Sequence, residues 1–443
     1  MTTQEHHRND ISAIDGRRTI TGLPQQPAQP RRLASLAALA ILLVLTGVAT
    51  QVAQAETFNV IYTFDGSKDG ANPFAGVTID KAGNIYGTNT SGGADGYGTV
   101  FKLKLKGSSW ILSPLYNFTG GSDGKNPQSR VIIGPDGALY GTTFNGGGKG
   151  CGTNGCGIVF SLRPPTFACK SAMCPWKETV LYQFSGGTDG GEPTGTLVFD
   201  QTGNIYGTTQ IGGLPHKCSG LGCGAVFKLS RSGSSWTETV LYQFSGSDGA
   251  FPNSGVISDN SGNLYGTTDS GGSSADGTVF ELSPQGSGWT ERVLYNFQGL
   301  SDGSQPDSGL IFDSQGNLYG TTLLNGSGGG GTVFELTPSN GNWTLNVLYG
   351  LAGIAGPIAN LSLDAAGNLY GTTYQDGVYL SGSVLKLIPS GGGWTYNSLH
   401  DFTGGNDGEL PMSNIVFDSH GNLYGTAAYG GSNGLGVVVE IVP

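Results

Sequence analysis

A carboxylate recurs along the chain in the phrase Asp-Gly-x-x-Pro, at Asp69, Asp123, Asp189, Asp248, Asp302 and Asp407. Six carboxylates brought round one mouth could hold a cation or meet sugar hydroxyls. These six are therefore the candidate ligand-binding residues. Asp-Gly is equally turn chemistry: Asp accepts a hydrogen bond from a backbone N–H two residues on, and Gly takes positive φ. Near-identical use in six places suits scaffolding better than one asymmetric site. A second acidic series, Asp80, Asp200, Asp259, Asp313, Asp364 and Asp418, precedes short turns and carries the same turn reading.

Six cysteines form three C-x4-C pairs: Cys151 with Cys156, Cys169 with Cys174, and Cys218 with Cys223. Six Cys allow fifteen connectivities in principle, and adjacent pairing is the simplest. Each small ring would contribute about 2 kcal/mol by constraining the unfolded chain. A zinc site joining neighbouring loops is the alternative. Other chemical motifs are weak. Ser122 and Ser301 sit in G-x-S-x-G, but no helix follows and the pattern belongs to a repeat, so a nucleophile elbow is not expected. Beyond residue 55 the only histidines are His216, His400 and His420, without metal-ligand spacing. His400 stands where other repeats have Tyr or Asn. Arg130 and Glu192 also break the repeat pattern. No catalytic residue, cofactor or metal is assigned.

The elements that position these residues are repeats. The phrase Gly-Asn-Leu/Ile-Tyr-Gly-Thr places its Tyr at residues 86, 140, 206, 265, 319, 370 and 424. Only the second copy departs, with Ala138 in place of Asn. Each unit reads as four short strands separated by Gly, Asn, Asp and Ser clusters. Around Tyr319 they are strand A at 309–313, strand B at 317–322, strand C at 332–336 and strand D at 343–348. Strand D alternates with period 2, as in Trp289, Val293, Tyr295 and Phe297. Glycine supplies 79 of 443 residues, hostile to helices because each interior Gly costs about 1 kcal/mol against Ala.

The expected fold is all-β: a seven-bladed β-propeller with four antiparallel strands per blade. The last unit ends after strand C at 437–442, and an orphan D-like strand stands at 58–64. The N-terminal strand should therefore complete the last blade and close the ring. In such a ring the A–B and C–D turns share one face. The D–A and B–C loops share the other, which would present the Asp-Gly loops near the channel.

The runs Leu294-Tyr295-Asn296-Phe297, Ser301-Asp302-Gly303, Gly316-Asn317-Leu318-Tyr319-Gly320-Thr321-Thr322 and Gly331-Thr332-Val333-Phe334 resemble the GloVer tandem repeat of exported bacterial "choice-of-anchor" proteins. The resemblance covers nearly all of residues 56–443. It implies an exported repeat protein, often with a C-terminal anchor, and no established activity. No hydrophobic tail precedes Pro443.

Residues 1–55 read as a signal peptide: a polar leader ending in Arg31-Arg32, an apolar run at 33–48, and the small-x-small site Ala53-Gln54-Ala55. Residues 56–443 form the propeller domain and carry 16 basic and 29 acidic residues, a net of −13. Such a surface repels phosphate backbones, so nucleic acid is not an expected partner. Together these features predict an exported protein, secreted or periplasmic, monomeric and free of the membrane after cleavage. Its expected role is a non-catalytic binding module for an extracellular glycan or protein. The alternative is a carbohydrate-active enzyme, lyase or hydrolase, working at the central channel.

Overall fold

The computed structural model describes residues 56–148, 150–165, 176–233 and 235–443. It is a seven-bladed β-propeller of four-stranded antiparallel sheets. Blades 1 to 6 span 77–117, 132–183, 198–243, 257–296, 311–350 and 362–401. Blade 7 takes its A, B and C strands from 416–442 and its D strand from Thr57–Thr63, paired antiparallel with Val437–Val442. The first described strand thus covers the edge that the last would leave open. The expected signal peptide at 1–55 lies outside the described residues.

The strands differ in length from the sequence expectation. In blade 5, strand A is only Ile311–Phe312, because Asp313 already enters the turn. Strands C and D are longer, Thr332–Ser339 and Asn342–Gly350. They meet across Asn340-Gly341, both at positive φ, the tight hairpin favoured by Asn-Gly. The alternation expected along strand D stops at a β-bulge. In blade 4, Tyr295 pairs with Val279 but Val293 pairs with Phe280, leaving Leu294 extra and buried.

Strand B is buried along its whole length, for example Leu318–Thr321 in blade 5. Its invariant glycine leaves room for a strand-C aromatic: a Cβ on Gly320 would lie 2.6 Å from the Phe334 ring. That Phe packs in turn against a Phe following strand D of the preceding blade. Phe297 and Phe334, and across the closure Phe64 and Phe101, meet edge-to-face at 5.2 Å. Blades 6 and 7 carry Leu385 and Val439 at the strand-C position.

Nearer the axis, a buried strand-B threonine in every blade donates its hydroxyl to a backbone carbonyl entering the next blade. Thr208 to Ser254 (2.6 Å) and Thr267 to Ser308 (2.8 Å) are typical. Thr426 to Pro73 (2.8 Å) carries the series from blade 7 back to blade 1. The closed ring is thus held by strand exchange, aromatic packing and a circle of hydroxyl bonds.

Candidate functional site at the channel mouth

Each D–A loop is bridged to the B–C loop of the blade it enters, as Ala71 to Ser91 in blade 1 and Glu409 to Tyr429 in blade 7. The two loop series therefore share one face. The six Asp-Gly carboxylates lie on it, each bound into its own loop beside strand D. Asp123 accepts the Tyr116 hydroxyl at 3.0 Å and the Thr119 N–H at 2.8 Å. Asp69, Asp189, Asp248 and Asp302 accept Tyr62, Tyr182, Tyr242 and Tyr295 in the same way. At Asp407 the Tyr is replaced by His400, whose Nε2 lies 3.0 Å from the carboxylate while its ring stacks on Phe58. The six are not brought together round the axis. Each closes its own turn.

The A–B turns are equally uniform. Asp313 accepts the Gln315 and Asn317 N–H groups, the Asn317 side chain and the Tyr319 hydroxyl. Burial alone would raise this carboxyl, but the bonds outweigh it and hold it below the usual range. In blade 2, Gly134 occupies the Asp position and Asp136 takes over, receiving Tyr140 and Arg163.

A third acidic set was not anticipated from sequence. Strand D carries Glu178, Glu238 and Glu291 in blades 2, 3 and 4. Each leaves one buried oxygen with no partner. Burial, together with the charge of Asp123, Asp189 or Asp248 nearby, pushes each carboxyl up to about 7.

Chemistry of a different kind gathers on the axis. A cavity of about 310 Å³ is lined by residues of all seven blades. Its walls come from the residues between the loop Pro and strand A, with a few from the end of strand B. The residue just after the Pro is polar through four consecutive blades, as Gln128, Thr194, Asn253 and Asp307. It is apolar through the other three, as Ile358, Met412 and Phe74. The mouth therefore has a polar arc and an apolar arc.

Within the polar arc the side chains are wired together. Thr194 donates to the Asn253 carbonyl at 2.6 Å, and Asn253 Nδ2 donates to Asp307 at 2.7 Å. Asp307 in turn lies within hydrogen-bonding reach of Asp269, at the end of strand B in blade 4. Burial raises both carboxyls, and for Asp269 the charge of Asp307 adds to it. Two neighbouring buried carboxyls disfavour each other's ionisation.

Arg130 enters the cavity from blade 2, at a position where blades 1, 4 and 5 have Gly76, Gly255 and Gly309. Among the described residues its guanidinium has no ion-pair partner. Burial without a counter-charge weakens its hold on the proton. Glu192, the other departure noted in the sequence, sits at positive φ before Pro193, as Asn126 and Gln305 do before theirs. It is a loop residue outside the cavity lining.

Two cysteine pairs are disulfides. Cys151–Cys156 and Cys218–Cys223 have Cα atoms 5.2 and 5.3 Å apart, and both clip B–C loops. The expected Cys169–Cys174 pair lies outside the described residues.

A family model, the Gloeobacter/Verrucomicrobia repeat, matches residues 46–220, 151–310 and 290–443. The chain belongs to this repeat family. No curated protein sequence matches it. Among solved structures, the chain is similar to the extracellular domain of a hybrid two-component system from B. thetaiotaomicron. Identity is 13% and the TM-score 0.50, over 86% of this chain and 39% of that one. It also resembles a protein described as a 6-phosphogluconolactonase from Bacteroides uniformis, at 14% identity and TM-score 0.49, covering 81% and 98%. At these identities the likeness is one of fold. The repeat family and the propeller expected from the sequence are both found.

Proposed function

We propose that this repeat-family propeller is an exported, monomeric binding module that takes an extracellular glycan at its channel mouth without cleaving it. One observation carries the reading. The repeats agree almost everywhere, yet at the mouth they diverge into polar and apolar side chains converging on one cavity. Concave sites with a few convergent polar groups are where small ligands bind. A cavity of this size suits a glycan end better than a folded protein partner. Export is supported by the two disulfides, which persist in oxidising compartments.

The acid pair raises the alternative of a carbohydrate-active enzyme. Its geometry speaks against glycoside hydrolysis by these two residues. Such enzymes hold their carboxyls about 5–9.5 Å apart, on either side of the scissile bond, whereas Asp269 and Asp307 lie within hydrogen-bonding reach of each other. A glycan array run beside a polysaccharide cleavage screen tests the proposal. The expected outcome is retention of a defined glycan with no shortened product. Cleavage that disappears in Asp307→Asn would replace the binding reading with the enzymatic one.

A further inference from the structure

We propose that the channel mouth selects a saccharide bearing a carboxylate, with the anion held by Arg130 and the hydroxyls held by the carboxamides that share its cavity. The proposal rests on the binding reading above and names its ligand class.

The argument starts from Arg130. Arg130 is half-buried on the cavity wall, a guanidinium partly withdrawn from water without a counter-charge is unfavourable, and three sister blades show that the fold accepts glycine at this position. Its presence is therefore not a requirement of the ring. The one acid that shares its cavity cannot neutralise it. Asp307 belongs to blade 5, three blades away, which is as far round a seven-membered ring as two blades can be. Asp307 is moreover committed to Asn253 and Asp269. The planar fork of Arg matches a carboxylate in two parallel hydrogen bonds, so an anion supplied from outside completes the site.

The rest of the wall says what carries that anion. Gln128, Gln210 and Asn414 line the same cavity. None of their side chains makes a hydrogen bond to another described residue. Each carboxamide offers both donors and an acceptor, the pattern that a sugar hydroxyl, itself donor and acceptor, can answer. Phe74, Ile358 and Met412 give the ring's C–H face an apolar surface. The cavity lies at the small end of the ~300–1,000 Å³ range of ligand sites, which suits a monosaccharide or chain end. A bare phosphate would engage Arg130 and leave the amides and the apolar arc unused.

The test is calorimetric titration of the purified full-length protein with galacturonate and glucuronate. Galactose, glucose and inorganic phosphate serve as comparison probes. The account expects at least one uronate to bind tenfold or more tightly than its neutral parent and than phosphate. Arg130→Gly, which installs the residue of blades 1, 4 and 5, should erase that preference and leave the melting temperature unchanged or higher. Arg130→Lys should restore part of it. A neutral sugar binding as well as its uronate would overturn the anion selection while leaving the binding module intact. Phosphate binding as tightly as the uronates would overturn the saccharide assignment. Failure of every probe to bind would overturn this proposal, with the glycan array deciding the broader reading separately.

Discussion

At the A–B turns, Asp80, Asp200, Asp259, Asp313, Asp364 and Asp418 each gather their own turn's N–H groups, an Asn side chain and a Tyr hydroxyl. At the channel mouth, the residue after each loop Pro is Phe74, Gln128 or Asp307 according to the blade, and the side chains of Gln128, Gln210 and Asn414 make no hydrogen bond to another described residue. Both regions rest on the same scaffold, a few residues apart in sequence. The turns show a bonding pattern that six of the seven blades share and that blade 2 meets with Asp136. The mouth shows what a blade can vary once the ring stands. Identical groups saturated by local bonds build, and different groups left open on the axis are those the proposal assigns to binding.

The sharpest way to break the uniform side is to remove residues 56–64. That exposes the Val437–Val442 edge of blade 7 and the Phe101 face that Phe64 covers. Loss of cooperative unfolding and aggregation are expected, read by calorimetry and light scattering. Asp313→Ala comes next. It strips four bonds from one turn and should cost about 2 kcal/mol in denaturant unfolding. A loss as large from Gln128→Ala would erase the distinction between the regions.

The strand-D acids give a pH signature. Glu178, Glu238 and Glu291 have carboxyls raised to about 7 in the folded state, above their unfolded value of about 4.3. The folded protein therefore binds more protons between those limits, and stability falls as pH rises through that window. The A–B carboxyls of Asp80, Asp200, Asp313, Asp364 and Asp418 are lowered, Asp200 down to about 2. Their contribution is present above about 3.9 and is lost on further acidification. The melting temperature should rise by several degrees from pH 7.5 to 5 and drop below pH 4. Glu291→Gln should flatten the upper limb. An upper limb that is already flat in the wild type would contradict the burial of these acids.

The smallest structural effect is expected from Thr267→Val. It removes the hydroxyl bond between blades 4 and 5 together with the Thr267 contact to the Ser254 hydroxyl and should cost about 1–1.5 kcal/mol. Its counterparts in other blades should cost the same, and a large spread would mean that the hydroxyl circle is not equivalent round the ring.

The blades, their closure and the face shared by the long loops were legible because repetition prints them seven times. The conserved phrase marks strand B, and the mismatch between a missing last strand and an orphan first one marks the seam. The bulge at Leu294 was not legible, since it depends on how strand D registers against strand C. The cavity at the mouth was not singled out from the sequence, for a physical reason. Repetition drew attention to Asp123 and its sisters, which close loops, whereas the proposed site lies where the repeats disagree. Arg130 stood out as a departure, but nothing local announced its lack of a partner. Asp269 and Asp307 lie 38 residues apart in different loops, and only the ring brings them into contact. A signal was available all along: comparing the seven units with one another between the loop Pro and strand A.

The most direct test of the central claim compares glycan retention by three forms of the protein: wild type, a mouth variant (Gln128→Ala with Asn414→Ala) and a loop variant (Asp123→Asn, which removes one of the repeated carboxylates). Binding lost in the mouth variant and kept in the loop variant, with both still folded, is the predicted result. Binding that survives at the mouth and fails in the loop would place the function on the repeated carboxylates instead.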